Sequence, residues 1–177
     1  TTFVTTDSRS VTKGCLYVCV SREADSTPHI QMALEKGASF VVCLPGKEMP
    51  FLKTFPDVSF LPYANPRFLL SKISYKLYPG HPPFMAAVTG TNGKSSVVNF
   101  VRQIFGANGT LAASIGTLGV TTTNPNFSIK MSSLTTPGAL ELHQLLEELC
   151  KNNIQVAALE ASSHGLDQYR LHHVPLS

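Results

Sequence analysis

The sequence predicts an α/β fold in two parts: a small α/β unit in front and a second unit with a mostly parallel sheet behind it. Three observations carry this. Short apolar runs alternate with amphipathic segments, and repeated strand-then-helix units build a parallel sheet covered on both faces. One such run, Met85-Ala86-Ala87-Val88, leads through a loop bearing glycine and lysine straight into a helical segment. Between the parts, Tyr78-Pro79-Gly80-His81-Pro82-Pro83 is a stretch that cannot continue a helix and forms a stiff linker. The expected division is therefore 1–78, a linker at 79–83, and 84–177.

In the first unit, Phe3-Val4-Thr5-Thr6 and Cys15-Leu16-Tyr17-Val18-Cys19-Val20 read as strands, with Lys13-Gly14 turning between them. His29 to Lys36 reads as a helix with Ile30, Ala33 and Leu34 inward and Gly37 as its stop. Phe40-Val41-Val42-Cys43-Leu44 and Val58-Ser59-Phe60-Leu61 are further strands. Asn65 caps a helix whose first residue is Pro66, with Phe68, Leu69, Ile73 and Leu77 on one face. Arg67, Lys72 and Lys76 belong to its solvated side.

In the second unit, a helix opens at Ser95 and carries the amphipathic segment Val97 to Phe105, until Gly106 to Gly109 breaks the chain. Leu111 to Ile115 is a buried strand ended by Gly116. Thr121 to Ile129 is a polar excursion with short strands. Thr136 is the expected cap of a helix with Pro137 first, running from Ala139 to about Asn152, its apolar face made of Leu140, Leu142, Leu145, Leu146 and Leu149. Ile154 to Leu159 is another buried strand, and Glu160 ends it.

The loop after Val88 reads Thr89-Gly90-Thr91-Asn92-Gly93-Lys94-Ser95-Ser96. Gly90 and Gly93 let the backbone turn tightly beside a bulky anion. The following helix points unpaired N–H groups and a positive dipole end at the loop, and that geometry holds phosphate. Lys94 can reach the outer phosphates, and Ser95 can offer a hydroxyl to Mg²⁺. The usual eight-residue phosphate loop has glycine where Val88 stands, so this is a shorter variant. The competing reading is an ordinary glycine turn between strand and helix.

Three stretches resemble one family. Thr89 to Ser95 is similar to the ATP loop of the Mur ligases and of their relative folylpolyglutamate synthetase. Thr6-Asp7-Ser8-Arg9 resembles the nucleotide-sugar motif of the tripeptide-forming Mur ligase and of its dipeptide-adding neighbour. Leu159 to Leu166, Leu-Glu-Ala-Ser-Ser-His-Gly-Leu, resembles the tripeptide-forming branch specifically. The resemblance runs over nearly the whole chain and covers the front part of such an enzyme. It implies a nucleotide-sugar-binding first domain and an ATP-binding central domain. Gly90, Thr91, Asn92, Gly93, Lys94, Ser95 and Ser96 then hold ATP, with Lys94 catalytic, and Ser95 and Glu160 hold Mg²⁺.

For the substrate, the resemblance implies contacts from Thr6 and Ser8 to the uridine end; on the residues alone, Asp7 and Ser8 could simply build a turn. A second strip falls on Arg22, Glu23 and Ala24, where the common family version has His-Gln-Ala. Arg22 can meet a pyrophosphate or be only a surface charge. Thr135 and Thr136, at a helix start, match threonines that touch the muramoyl-peptide substrate. Ser162, Gln168 and Arg170 match contacts to its sugar or peptide part. Glu160 has an alternative role as an acidic helix cap. Ser162 with His164 does not make a hydrolase, because neither a Gly-x-Ser-x-Gly elbow nor an oriented acid partner accompanies them. His172-His173 is a surface pair without a third zinc ligand at suitable spacing.

The implied reaction is ATP-driven amide formation. The D-glutamate carboxylate of UDP-N-acetylmuramoyl dipeptide takes the γ-phosphoryl group, and the amine of an incoming amino acid displaces phosphate from the acyl phosphate. The chain stops at Val174-Pro175-Leu176-Ser177, where another strand is expected, and it lacks the family's amino-acid-binding domain. It reads as a truncated piece that is inactive alone. Another ligase of the same fold and a non-catalytic nucleotide-binding module are the rival readings.

Composition bounds the rest. At 177 residues, 43% hydrophobic and only 14% charged, the chain can bury a real core. A net charge of +3 with scattered cations gives no case for nucleic acid. No apolar run approaches membrane-span length. The chain opens Thr1-Thr2-Phe3 without a signal peptide or start methionine, which reads as trimming at the front. Cys15, Cys19, Cys43 and Cys150 lack metal spacing and are expected as reduced thiols. A cytoplasmic monomer is expected.

Overall fold

The computed structural model describes residues 3–21, 26–131 and 134–177. The chain divides into two compact units, the first reaching Leu70 and the second starting at Ser71.

In the first unit, four short strands pair in parallel in chain order: β1 (Val4–Thr5), β2 (Leu16–Val18), β3 (Phe40–Cys43) and β4 (Ser59–Pro62). Helix α1 (Thr27–Glu35) follows β2, with Pro28 in its first turn, and buries Ile30, Ala33 and Leu34 as their three- and four-residue spacing requires. These side chains pack with Tyr17, Val41, Cys43 and Phe51. Pro62 ends β4, the edge strand, where a missing N–H costs the ladder nothing. Cys15, Cys19 and Cys43 are buried and Cys150 is exposed, all four as free thiols. Burial pushes the Cys43 thiol up to about 12.

Helix α2 (Pro66–Leu77) starts as expected: Asn65 Oδ1 accepts from Phe68 N at 3.1 Å. Its buried face differs from the expected one. Leu70, Ser71 and Ser74 are buried, whereas Leu77 is 45% exposed. Small serines permit close approach here, and the Ser71 hydroxyl donates to the His172 carbonyl. Tyr75 packs edge-on against His143 and stacks on His173, and Tyr78 accepts from Gln144 Nε2. These contacts give the second unit the C-terminal half of α2, so packing starts that unit before the proline-rich stretch that composition marks.

In the second unit the sheet order is β5-β8-β6-β7: β5 (Phe84–Val88), β8 (Val156–Glu160), β6 (Ala112–Gly116) and β7 (Gly119–Thr122). The first three run parallel, and β7 turns back against β6. Every residue of β6 and β8 is buried, as central strands covered on both faces require, and Ser114 and Glu160 are the polar side chains enclosed with them. The register places Val88 opposite Glu160 and Ile115 opposite Leu159, so three strand ends finish at one level. The helices are α3 (Lys94–Ala107), α4 (Ala139–Lys151) and α5 (Ser163–Asp167). Among the described residues no helix is long and apolar enough to cross a membrane.

Two local expectations are corrected. Gly106 lies inside α3 and does not break it. Its role is close approach: a Cβ there would come within 2.6 Å of Thr123 Cγ2. Thr136 does not cap α4, whose N-cap is Gly138 with no side-chain cap bond. The Thr136 side chain is buried and spends its hydroxyl on the end of β8, donating to the Glu160 carbonyl at 2.8 Å. The apolar face of α4 also includes His143, which is 2% exposed.

Candidate nucleotide and substrate site

The site of the second unit grows out of the aligned strand ends. After β5 the chain enters the loop 89–93. Gly90 has φ 142° and Gly93 φ 82°, values that side-chain-bearing residues rarely adopt. Gly93 is the N-cap of α3 and supplies no side-chain cap bond, so the first N–H groups of a fourteen-residue helix face the loop uncapped. The helix starts at Lys94, one residue before the expected Ser95. Lys94 Nζ folds back onto the loop, donating to Gly90 O at 2.7 Å and approaching Thr91 O at 3.5 Å. That bond is exposed, so an anion of higher charge can draw the ammonium off a neutral carbonyl.

Glu160, at the end of β8, is 2% exposed. Its Oε1 accepts from Ser95 Oγ at 2.8 Å and Thr117 N at 3.0 Å, and its Oε2 from Thr117 Oγ1 at 3.3 Å. All three donors are neutral. The carboxylate is therefore not a helix cap; it lies inward, beside the first turn of α3. Behind Ser95, Asn99 Nδ2 donates to the Ser95 carbonyl at 2.9 Å and Asn99 Oδ1 accepts from Ser114 Oγ at 3.2 Å. Thr117 was not singled out from the sequence. The signal available was the one that marked Glu160, namely a polar residue just past a buried strand.

Four of the expected substrate residues gather around the short helix α5. Ser162 is its N-cap, with Oγ accepting from Gly165 N at 3.0 Å, and its own N–H donates to Thr136 Oγ1 at 3.0 Å. Arg170 donates to the Thr136 carbonyl at 2.6 Å and, through Nε and a terminal nitrogen, to Gln168 Oε1 at 3.2 and 2.8 Å. Thr135 Oγ1 lies 3.0 Å from Thr117 Oγ1. Glu160, Thr117, Thr135, Thr136, Ser162, Gln168 and Arg170 thus form one continuous hydrogen-bonded chain.

The first unit has its own cavity of about 540 Å³, lined by Thr6, Asp7, Ser8, Arg9, Tyr17, His29 and Met32 among others. Asp7 caps the short turn Ser8–Ser10, accepting from Arg9 N at 2.9 Å. The Arg9 side chain closes on the same carboxylate with two bonds of 2.9 Å, and these hold the Asp7 carboxyl below its usual range. Ser8 is 5% exposed, and its hydroxyl lies 3.4 Å from Met32 Sδ, a weak acceptor. Arg22, Glu23 and Ala24 lie outside the described residues.

The donor set fits a magnesium nucleotide. A buried carboxylate with only neutral donors, next to a serine hydroxyl and an uncapped helix end, leaves charge for a small hard cation to match. Among the described residues no three His, Cys, Asp or Glu side chains gather as a metal cage. Mg²⁺ does not need one, since it commonly takes one or two protein oxygens and completes its shell with phosphate and water.

A loop of this shape on a parallel strand, facing a buried acidic strand end, is the arrangement of an α/β domain suited to holding phosphate. Residues 88–176 match the Mur ligase middle domain, and the chain belongs to the Mur ligase family. It is 43% identical over 175 residues to a Rhizobium meliloti (strain 1021) protein named UDP-N-acetylmuramoyl-L-alanyl-D-glutamate--2,6-diaminopimelate ligase, covering 98% of this chain and 34% of that protein. A solved structure of a ligase of that name superposes with TM-score 0.76 at 25% identity, over 98% of this chain and 34% of the other. The MurF ligase of Thermotoga maritima, solved with ADP, shares the fold with TM-score 0.52 at 16% identity, over 98% of this chain and 35% of the other. The chain spans about a third of the length of the relatives it matches.

Proposed function

We propose that this chain is the substrate-anchoring and nucleotide-binding part of an ATP-dependent ligase of peptidoglycan precursor synthesis. The whole protein adds the third amino acid to UDP-N-acetylmuramoyl-L-alanyl-D-glutamate, working as a monomer in the cytoplasm. The observation that carries this is the pairing of Ser95 with the buried Glu160 at the mouth of the Gly90–Lys94 loop. The name shared by the relatives makes 2,6-diaminopimelate the amino acid to test first.

The nucleotide supplies the phosphoryl group that turns the D-glutamate carboxylate into an acyl phosphate, and Mg²⁺ supplies positive charge beside it. The residues do the positioning. Gly90, Thr91, Asn92 and Gly93 wrap the phosphates with backbone N–H groups, and Ser95 and Ser96 sit in the first turn of α3. Lys94 leaves Gly90 O for the outer phosphates and offsets the charge that builds there during transfer. Ser95 and Glu160 hold the metal. Thr135, Thr136, Ser162, Gln168 and Arg170 orient the muramoyl dipeptide. Thr6 and Ser8 anchor the uridine end, with Arg22, Glu23 and Ala24 as the companion strip. The first domain is proposed as 1–78, the linker as 79–83 and the ATP-binding domain as 84–177.

A binding titration of the full-length protein with ATP, UDP-muramoyl dipeptide and folate tests the reading. ATP and the dipeptide should bind and folate should not. Folate binding without dipeptide binding would point to the folate ligases instead, and ATP binding alone to a regulatory nucleotide module.

A further inference from the structure

We infer that Thr117 is a positioning residue that holds the Glu160 carboxylate toward Ser95 and ties it to the Thr135 hydroxyl, aligning the metal-holding and substrate-holding ends of the site. This rests on the nucleotide reading above and adds a residue that reading does not use.

Three observations converge on it. First, Thr117 supplies two of the three hydrogen bonds that the Glu160 carboxylate receives, one from its backbone and one from its side chain. A carboxylate 2% exposed depends on such donors, because an unmatched buried oxygen is costly. Second, the backbone just before Thr117 is the wall against which the carboxylate lies. A Cβ on Gly116 would come within 2.0 Å of Glu160 Oε1. The 116–117 segment is thus shaped around the acid. Third, the Thr117 hydroxyl has one proton and two lone pairs. It donates to Glu160 Oε2 at 3.3 Å and is free to accept from Thr135 Oγ1 at 3.0 Å.

Thr117 is well placed to hold a fixed position. It lies in the two-residue turn between β6 and β7, closed by the pairing of Gly116 with Gly119. Ser95 stands on α3, Glu160 on β8 and Thr135 ahead of α4. Thr117 touches the last two from a strand end that neither shares.

The test is a Mg²⁺ titration of fluorescent ATP-analogue binding to the full-length protein, with melting curves alongside. Thr117→Val keeps the backbone donor and removes the hydroxyl. It should need about tenfold more Mg²⁺ for half-maximal binding, the worth of one hydrogen bond to a charged group, with Mg²⁺-free binding unchanged. Thr117→Ser should stay close to wild type. A raised KM for UDP-muramoyl dipeptide in Thr117→Val is expected too; an unchanged KM would remove the Thr135 half of the inference. Should Thr117→Val fail to fold, Thr117→Ala removes the same hydroxyl without adding a methyl beside the acid. Wild-type Mg²⁺ dependence in a folded hydroxyl-less variant overturns the positioning role alone. Absence of Mg²⁺-dependent binding in the wild type overturns the nucleotide reading and this inference with it.

Discussion

Ser95 Oγ donates to Glu160 Oε1 at 2.8 Å across 65 residues of sequence. One belongs to the first turn of α3 and the other ends β8, and the bond exists because β5 and β8 are neighbours with Val88 opposite Glu160. Glu160→Gln keeps the size and loses the charge. It should leave the protein folded, since one amide oxygen can still accept from Ser95. It should raise the Mg²⁺ needed for nucleotide binding by about tenfold or more, the worth of losing a charge-assisted contact. A Mg²⁺ titration at fixed nucleotide measures this. A normal requirement in the full-length protein would reduce Glu160 to a structural acid.

Lys94→Ala should lower ATP affinity by roughly 10- to 100-fold, corresponding to about 1.5–3 kcal/mol for a charged hydrogen bond. The exposed bond from Nζ to Gly90 O is a resting contact worth little, so the melting temperature should barely move. Calorimetric titration with ATP reads the first quantity and a thermal scan the second. Unchanged affinity in a folded variant contradicts the phosphate-loop reading.

Ser8→Ala should weaken binding of the UDP-muramoyl dipeptide by about 1 kcal/mol, a single hydrogen bond, and leave ATP binding alone. The serine gives up only a poor sulfur acceptor when it turns to a ligand. Chemical-shift titration with UDP is the measurement. Shifts confined to the second unit, with residues around Ser8 silent, would exclude the front cavity as the uridine anchor.

His143 gives stability a pH dependence. The ring is 2% exposed and its Nε2 is unpartnered; burial, the largest cause, lowers its pKa from 6.5 to about 4. The unfolded chain therefore binds the proton first as pH falls, so stability is full above about pH 6.5 and declines toward pH 4. The loss is on the order of 3 kcal/mol at most. Burial, with His172 and Lys72 adding to it, lowers the His173 pKa in the same direction. His143→Gln should flatten much of that slope, read as denaturation midpoints at pH 7, 5.5 and 4.5. A slope equal to wild type would assign the pH dependence to other groups.

What could be read in the sequence was what local chemistry determines. Gly90, Gly93 and Lys94 announce their loop because backbone freedom and charge are properties of adjacent residues. Glu160 was visible because an acid after four apolar residues is out of place. Asn65 before Pro66 and the Ile30-Ala33-Leu34 spacing carried equally local signals. Thr136 was misread for the same reason, since threonine before proline and a helix looks like a cap. Its hydroxyl instead serves the end of β8, a neighbour that only sheet order supplies. The role of Thr117 depends on β6 lying beside β8, and that of Gly106 on Thr123 approaching α3. The buried face of α2 could not be taken from hydrophobicity, because Ser71 and Ser74 occupy it.

The contact between Gly116 and Glu160 also restricts how this site can change by descent. Any side chain at 116 meets the carboxylate oxygen, so alanine is shut out for as long as glutamate remains. Aspartate at 160 would open room for that methyl, yet it would withdraw the acid by one carbon from Ser95 and forfeit the 2.8 Å bond. Neither position can drift alone, and their effects on stability should depart from simple addition. Glycine at 116 should therefore vary in step with the acid at 160.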